Sequence, residues 1–327
     1  MKVSIITPSY NQGEFLEHTI RSVLHQNFND LEYFIIDGGS TDNSVDIIRK
    51  YSDRITWWVS EPDSGQAEAI NKGLRRGTGE VVGWLNSDDM YALGAIQKAA
   101  DFFDENPEIG LVYGDGVSFN QDGFPLNDLR AGDWDLKDLA AFNIICQPAV
   151  FFRRDLLDNV GYLDENYHML LDHHLWLRIA RKTPIQHLPG VLAFARHHAG
   201  AKNVASASTF VDDAHKVYQW MKNQPDLTEV LKSNRAVVEA MFHRFNGRYY
   251  LDDGQRWESL KSYWLSLKSR PATALQEWHR MLFAFLSILG LGSLGKLYYR
   301  VKKSQIPNSI LKMGVNNIHD LYSGTET

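Results

Sequence analysis

Two acids stand side by side at Asp88-Asp89, directly after the apolar run at residues 80–86. Adjacent carboxylates repel, which is costly unless a cation or hydrogen-bond donors compensate. Two hard oxygen ligands at such a point suit Mg²⁺ or Mn²⁺, which takes one or two carboxylates and completes its shell with substrate phosphate oxygens. The ion would then neutralise a diphosphate. The plainer reading is that one of the two acids caps the helix starting near Gly94 or shapes a turn. Other polar clusters also follow apolar runs: Thr7-Pro8-Ser9-Tyr10-Asn11, Asp37-Gly38-Gly39-Ser40-Thr41-Asp42 and Glu61-Pro62-Asp63. Within them Asp42 reads as a cap for the helix that continues through Val45-Asp46-Ile47-Ile48.

These clusters share one rim only if the runs before them are strands of one sheet. Residues 3–7, 31–37, 55–60, 80–86 and 110–115 are too short for helices, and most are nearly continuous in apolar residues, as strands buried on both faces are. The stretches between them have helical period: Leu16, Ile20, Val23 and Leu24 form one stripe, Ile70 pairs with Leu74, and Ile96 pairs with Ala99, Ala100 and Phe103. The pattern predicts an α/β fold, a mainly parallel, Rossmann-like sheet flanked by helices, whose ligands bind beyond the carboxyl ends of the strands. From Gly116 the pattern loosens into turn-rich segments with a strand at 149–152 and a helix at 172–182. After Ala205 only helices are expected, separated by Pro225, Asp252-Asp253-Gly254 and Pro271.

Forty acidic against 34 basic residues give the 327-residue chain a net charge of -6, so no overall basic field is available to hold nucleic acid. The single cysteine, Cys146, excludes an internal disulfide and a thiolate-rich zinc site, and reads as a buried structural thiol. The N-terminus enters a strand-like run without a secretory leader, so a cytoplasmic location is expected. Residues 281–295 carry no charge and are followed by Lys296, Arg300, Lys302 and Lys303. As a helix this run reaches roughly 22 Å, short of the roughly 30 Å hydrocarbon core, so it would not span a membrane alone. Two readings stand: a buried helix, or a helix lying in a membrane interface with its basic residues at anionic headgroups. Gly290-Leu291-Gly292-Ser293-Leu294-Gly295 spells a dinucleotide-binding pattern but lacks the preceding strand, and is coincidence.

The runs TPSYNQ, IDGGSTDNS, SEPDSGQAEAINKG and GEVVGWLNSDD, in that order, resemble the nucleotide-sugar-binding half of the family 2 glycosyltransferases, which have the GT-A fold. The resemblance covers roughly residues 1–200. It implies inverting transfer of a sugar from a nucleoside diphosphate donor to an acceptor hydroxyl, and most often a role in bacterial polysaccharide or glycolipid assembly with a glycan or lipid-linked acceptor. It implies a donor-binding half at 1–115 and an acceptor half at 116–204, leaving a helical C-terminal region at 205–327. Carried over residue by residue, Asp37 receives the base, with Thr7, Pro8 and Tyr10 in the loop lining its pocket. Glu61, Asp63 and Gln66 lie near the donor, and Asp88 faces ribose, sugar or metal. Asp89 is the safer metal ligand, because Asn86-Ser87 departs from the fuller motif. Asn71 reads as a structural hydrogen bonder.

The run QPAVFF from Gln147, GYLDE from Gly161 and LDHHLWLR from Leu171 resemble the acceptor side, with Gln147 at the acceptor and Asp172 as the base. A carboxylate can accept the acceptor hydroxyl's proton as its oxygen attacks. Asp172 also suits the start of its helix. His198 falls where similar enzymes place a histidine near diphosphate and metal, with Arg196 or Lys202 available to phosphate. His173-His174 point about 100° apart on a helix and are expected half packed, half solvated. Two other classes stay open: a metal-dependent sugar nucleotidyltransferase, against which the lack of a basic residue in TPSYNQGEF counts, and a non-catalytic glycan-binding or scaffold protein. If the tail lies on a membrane, the chain belongs at the inner face of the plasma membrane.

Overall fold

The structure, a computed structural model, describes residues 1–198, 200–201, 207–291, 310 and 316–322. Strand β1 (Val3–Ser9) is buried at every position, which requires cover on both faces of its sheet. Along the chain follow α1 (Leu16–Leu24), β2 (Leu31–Asp37), α2 (Ser44–Lys50), β3 (Trp57–Ser60), α3 (Gln66–Arg76) and β4 (Val81–Trp84). The alternation of side chains divides two helical layers. Ile5, Tyr33 and Ile35 join Leu16, Ile20 and Val23 of α1 on one face, whereas Ile6, Phe34 and Ile36 join Ile70 and Leu74 of α3 on the other. Helix α3 lies so close to the sheet that a Cβ on Gly73 would come within 2.6 Å of Ile6.

Next come β5 (Met90–Tyr91), α4 (Ala95–Glu105), β6 (Leu111–Asn120), β7 (Pro125–Leu129), α5 (Leu136–Ala140), β8 (Val150–Arg153), α6 (Leu156–Val160), α7 (Leu171–Ala180) and β9 (Ile185–His197). The sheet runs β3-β2-β1-β4-β8-β6-β9-β5, with β7 paired to β6. β1 to β4 are mutually parallel where they pair. β4 then meets β8 antiparallel, so the sheet is mixed beyond that point. The turn-rich reading after Gly116 is corrected here: β6 continues to Asn120, turns through Asn120-Gln121-Asp122-Gly123, returns as β7, and pairs parallel with the long β9. Register shifts between Gly114 and Gly116, and Pro189-Gly190 within β9, break the alternation that would have disclosed it.

The C-terminal helices are α8 (Ala207–Lys222), α9 (Pro225–Ser233), α10 (Arg235–Asp252), α11 (Arg256–Ser269), the single turn α12 (Pro271–Ala274) and α13 (Trp278–Ile288). Pro225 and Pro271 sit at the first helical positions and Gly254 takes a positive φ of 81° after α10, so the expected breakers act where their chemistry allows. Val217, Phe242 and Phe245 extend the α3 core. The last helices reverse the usual polarity. α13 buries Ala284 and Ser287 while exposing Trp278, Leu282, Phe285 and Leu289 along one stripe. α11 buries three serines, Ser259, Ser262 and Ser266, around Tyr263 while exposing Trp257 (71%) and Trp264 (57%), with Lys261 and Lys268 on the same stripe. Of the apolar-basic segment, residues 292–303 lie outside the described residues, as do Gly292 to Gly295 of the glycine pattern and Lys202.

Candidate active site

The parallel strands bring their carboxyl ends to one rim, and the expected donor residues stand there. Asp37, fully buried at the end of β2, accepts hydrogen bonds from Gly39 N (3.1 Å), Ser40 N (2.9 Å), Ser60 Oγ (2.7 Å) and Ser40 Oγ (2.5 Å). Asp63 faces it across Gly38, whose Cβ would lie 2.8 Å from the Asp63 carboxylate. Burial raises the Asp63 carboxyl above its ordinary range, with Glu68 and Asp37 adding repulsion. Glu61 is held by Lys72 at 2.9 Å. Pro8 is buried and Tyr10 is exposed. Thr7 is buried in β1, with its hydroxyl 3.1 Å from Tyr33 Oη, and so lies below the rim.

Asp88 and Asp89 follow β4 in the middle of the sheet. Asp89 Oδ1 accepts the Arg196 backbone N–H at 2.9 Å and Oδ2 takes only a long 3.3 Å bond from Asn86 Nδ2. Burial first, then the neighbouring Asp88 charge, pushes the Asp89 carboxyl well above the usual range, and these donors offset only part of it. Asp88 Oδ2 lies 3.1 Å from Nε2 of His198, whose ring packs on Phe15 at 4.6 Å. Among the described residues no three histidine, cysteine or carboxylate groups gather to hold a metal by themselves. The pair nevertheless fits a divalent cation chemically. Asp89 is desolvated with an underused oxygen, and phosphate oxygens would supply the ligands the protein does not. An amide relay fixes this loop: Gln66 Nε2 donates to Asn86 Oδ1 (2.7 Å), Asn86 Nδ2 to Gln147 Oε1 (3.1 Å), and Gln147 Nε2 to Trp84 O (2.9 Å).

Arg196, expected to meet phosphate, spends its guanidinium behind the acids instead. Nε donates to Asp88 O at 2.8 Å, and Nη1 reaches Gln121 O (3.2 Å) and His319 Nε2 (2.7 Å). Phe15 and Phe119 pack against it at 4.6 and 4.4 Å, and burial lowers it to about 10. The short segment 316–322 therefore straps the back of the loop. His319 stacks on His18 at 4.2 Å, Ile318 N donates to Gly123 O at 2.9 Å, and Tyr322 Oη bonds Tyr91 O. No local pattern marks this strap, because its partners are hundreds of positions away.

A cavity of about 680 Å³ is lined by Gln66, Asp88, Asp89 and Gln147 and also by Asp172. Asp172 is the second residue of α7 and its Oδ1 accepts His173 N at 2.7 Å. The helix carries no side-chain cap of its own at Leu170. Asp213 on α8, which the sequence did not disclose, fixes the turn leading into the helix instead: its Oδ2 accepts His168 N (2.7 Å), Met169 N (2.7 Å) and Leu170 N (3.2 Å). Arg178 ties the other side of α7 to Val160 O and Tyr162 O, and Asn71 clamps Leu163 with bonds of 2.9 and 3.0 Å, the structural part expected of it. The expectation for His173 and His174 is corrected. Both are buried, and desolvation lowers them to about 4 and about 3, because Tyr167 and Trp220 enclose His174 at 4.3 and 4.6 Å and His173 faces Phe142. Cys146 packs on Gly116 at the cavity wall, and burial raises its thiol, as suits a structural role.

Residues 4–161 match the family model "Glycosyl transferase family 2". A glycosyltransferase of Nostoc without assigned substrate is 30% identical over 221 residues, covering 64% of this chain and 68% of the relative. The PGL/p-HBAD biosynthesis glycosyltransferase of Mycobacterium bovis is 31% identical over 173 residues, 52% of this chain and 66% of the relative. The chain thus spans about two thirds of these relatives. Among solved structures, S. aureus TarS 1-349 in complex with UDP-GlcNAc superposes with a TM-score of 0.61 at 18% identity, covering 93% of both chains. Mannosyltransferase PcManGT from Pyrobaculum calidifontis, in complex with GDP-Man and Mn²⁺, gives 0.58 at 18%, covering 93% of this chain and 86% of that one. The two likenesses show a GT-A fold.

Burial alone would raise the Asp213 carboxyl, but the three backbone donors and Lys216 more than offset it and hold it below its ordinary range. Its folded value lies under its unfolded one, so its stabilisation is complete above the unfolded carboxylate range and is lost as pH falls through the folded value. Asp213→Asn should therefore cost about 1–3 kcal/mol in urea unfolding at neutral pH, with the gap to wild type closing on acidification below about pH 4. An equal gap at both pH values contradicts this role.

Proposed function

The chain belongs to glycosyl transferase family 2, and from that premise we propose that it transfers a sugar from a nucleoside diphosphate donor to an acceptor hydroxyl with inversion, in bacterial polysaccharide or glycolipid assembly. The observation that carries this is that Asp88, Asp89 and Asp172 line one cavity. Pro8, Tyr10, Asp37 and Asp63 form the base end of the donor site above the buried Thr7, with Glu61 and Gln66 steadying it. Asp89, together with Asp88 and the His198 that contacts Asp88, would hold Mg²⁺ or Mn²⁺. When bound, the cation supplies charge neutralisation for the departing diphosphate. Asp172 accepts the proton of the acceptor hydroxyl, whose oxygen attacks the anomeric carbon from the face opposite the nucleotide. Gln147, bonded to Asn86 and to Trp84 O on the lining of the same cavity, serves the acceptor on this reading. On this reading residues 1–115 serve the donor, 116–204 the acceptor, and the helices from 205 wall off the acceptor side. An Asp172→Asn variant should lose at least about a hundredfold in turnover and keep its nucleoside diphosphate affinity. Near-normal turnover places the base elsewhere.

The reversed polarity of α11 and α13 supports peripheral attachment at the inner face of the plasma membrane. No helix among the described residues is long and apolar enough to cross a membrane. The exposed Trp257, Trp264, Phe285 and Leu289 with Lys261 and Lys268 suit an interface of anionic lipid, where amphipathic rings and cations both find partners. The full chain should co-sediment with phosphatidylglycerol vesicles and much less with phosphatidylcholine, and W257A/W264A should release it. Equal binding to both vesicle types, or none, overturns the attachment.

A further inference from the structure

Helix α10 places Arg244 and Arg248 one turn apart, so both lie on one face. That face lines the cavity together with Met241, Phe245 and Tyr249. It stands at the Asp172 end: Phe242 and Phe245 of α10 pack on Phe142 at 5.4 and 5.6 Å, and Phe142 packs on His173, the residue after Asp172, at 5.8 Å. Phe142 holds a left-handed backbone, φ 58°, between them, a strained conformation that surrounding contacts must enforce.

The two guanidinium groups are otherwise lightly used. The buried Arg178 and Arg196 direct several N–H groups at backbone carbonyls. Arg244, by contrast, donates to the neutral amide of Gln276, and Arg248 rests 5.8 Å from the Tyr249 ring. Neither forms an ion pair among the described residues. Glu277, on the same wall, accepts Tyr263 Oη at 2.8 Å instead. Asp172 and Glu277 line the same cavity, but no ion pair joins either of them to these arginines among the described residues, so the half-buried Arg244 and the exposed Arg248 keep guanidinium forks available to a bidentate oxyanion.

We infer that Arg244 and Arg248 clamp an anionic group, phosphate or carboxylate, carried by the acceptor beside the hydroxyl that is glycosylated. The inference rests on Asp172 marking the acceptor end. An acceptor so held presents its hydroxyl to Asp172 in a fixed pose, and a neutral glycan of the same shape binds more weakly by the worth of at least one charge-assisted hydrogen bond. The donor's own diphosphate offers the same chemistry, and the test must separate the two sources.

Phenylglyoxal modification of the full chain, mapped by mass spectrometry to Arg244 and Arg248, provides that separation. Glycerol 3-phosphate or glucuronate should protect both arginines at concentrations at least about tenfold lower than glycerol or glucose, and should still do so with UDP or GDP and Mn²⁺ present. Binding of UDP or GDP, followed separately by calorimetry, should persist in R244Q/R248Q, whereas retention of glycerol 3-phosphate should be lost in that variant and only partly restored in R244K/R248K, which keeps the charge without the bidentate fork. Protection by UDP or GDP alone assigns the pair to the donor and overturns the inference, as does equal protection by charged and neutral probes. Failure of wild type to bind either nucleotide would instead count against the donor reading and leave the protection result to be judged alone.

Discussion

Asp88 and Asp89 sit in adjoining positions in one loop, Asp89 buried and Asp88 partly so, and Arg196 behind them spends its guanidinium on backbone carbonyls and His319 rather than on either carboxylate. Burial disfavours the ionised form of Asp89, and the Asp88 charge beside it adds to that cost. Much of the surrounding architecture answers that cost. β4 delivers the pair beside β1, where the strand order β3-β2-β1-β4 reverses direction, the kind of switch point at which α/β sheets bind ligands. β9 crosses behind and offers the Arg196 N–H to one acid and its guanidinium to the backbone of the other. The residual deficit is what a cation and a diphosphate together would fill.

The strap at 316–322 shows how far this constraint reaches. His319 receives one Arg196 N–H and burial keeps its own pKa low, about 4, so it meets the guanidinium as a neutral acceptor. Without it a buried guanidinium N–H would lack a partner, which is costly in a dry site. On the opposite wall the solution is different. Asp213 gathers three backbone donors ahead of α7 and thereby sets where Asp172 emerges. The C-terminal helices thus contribute to the site twice, through Asp213 of α8 and through the cavity-facing side of α10.

The first half of the chain is legible because its signals are local. Each strand from β1 to β4 is a short apolar run, and each polar cluster ends one of them, so the rim of Asp37, Glu61, Asp63, Asp88 and Asp89 follows from topology. β9 is not legible: its bulges and Pro189-Gly190 break the period of two, and its pairing with β6 spans dozens of residues. Arg196 reads as a charge near the acids but on the wrong side of them, since sequence gives no sign of the Phe15 and Phe119 rings that draw it inward. His173 and His174 look amphipathic on one helix; only the packing of α8 over α7, with Trp220 against His174, makes both of them interior. Asp213 and His319 act through partners far off in sequence, and no spacing announces either.

The central claim is that the acidic loop holds a divalent cation only in company with a nucleoside diphosphate. Mn²⁺ titration followed by electron paramagnetic resonance, with and without UDP or GDP, tests it most directly. The account predicts weak Mn²⁺ binding to the protein alone and at least about tenfold tighter binding with the nucleotide, as expected where phosphate oxygens complete the ligand set. Tight binding without nucleotide, or nucleotide binding indifferent to a chelator, would contradict it.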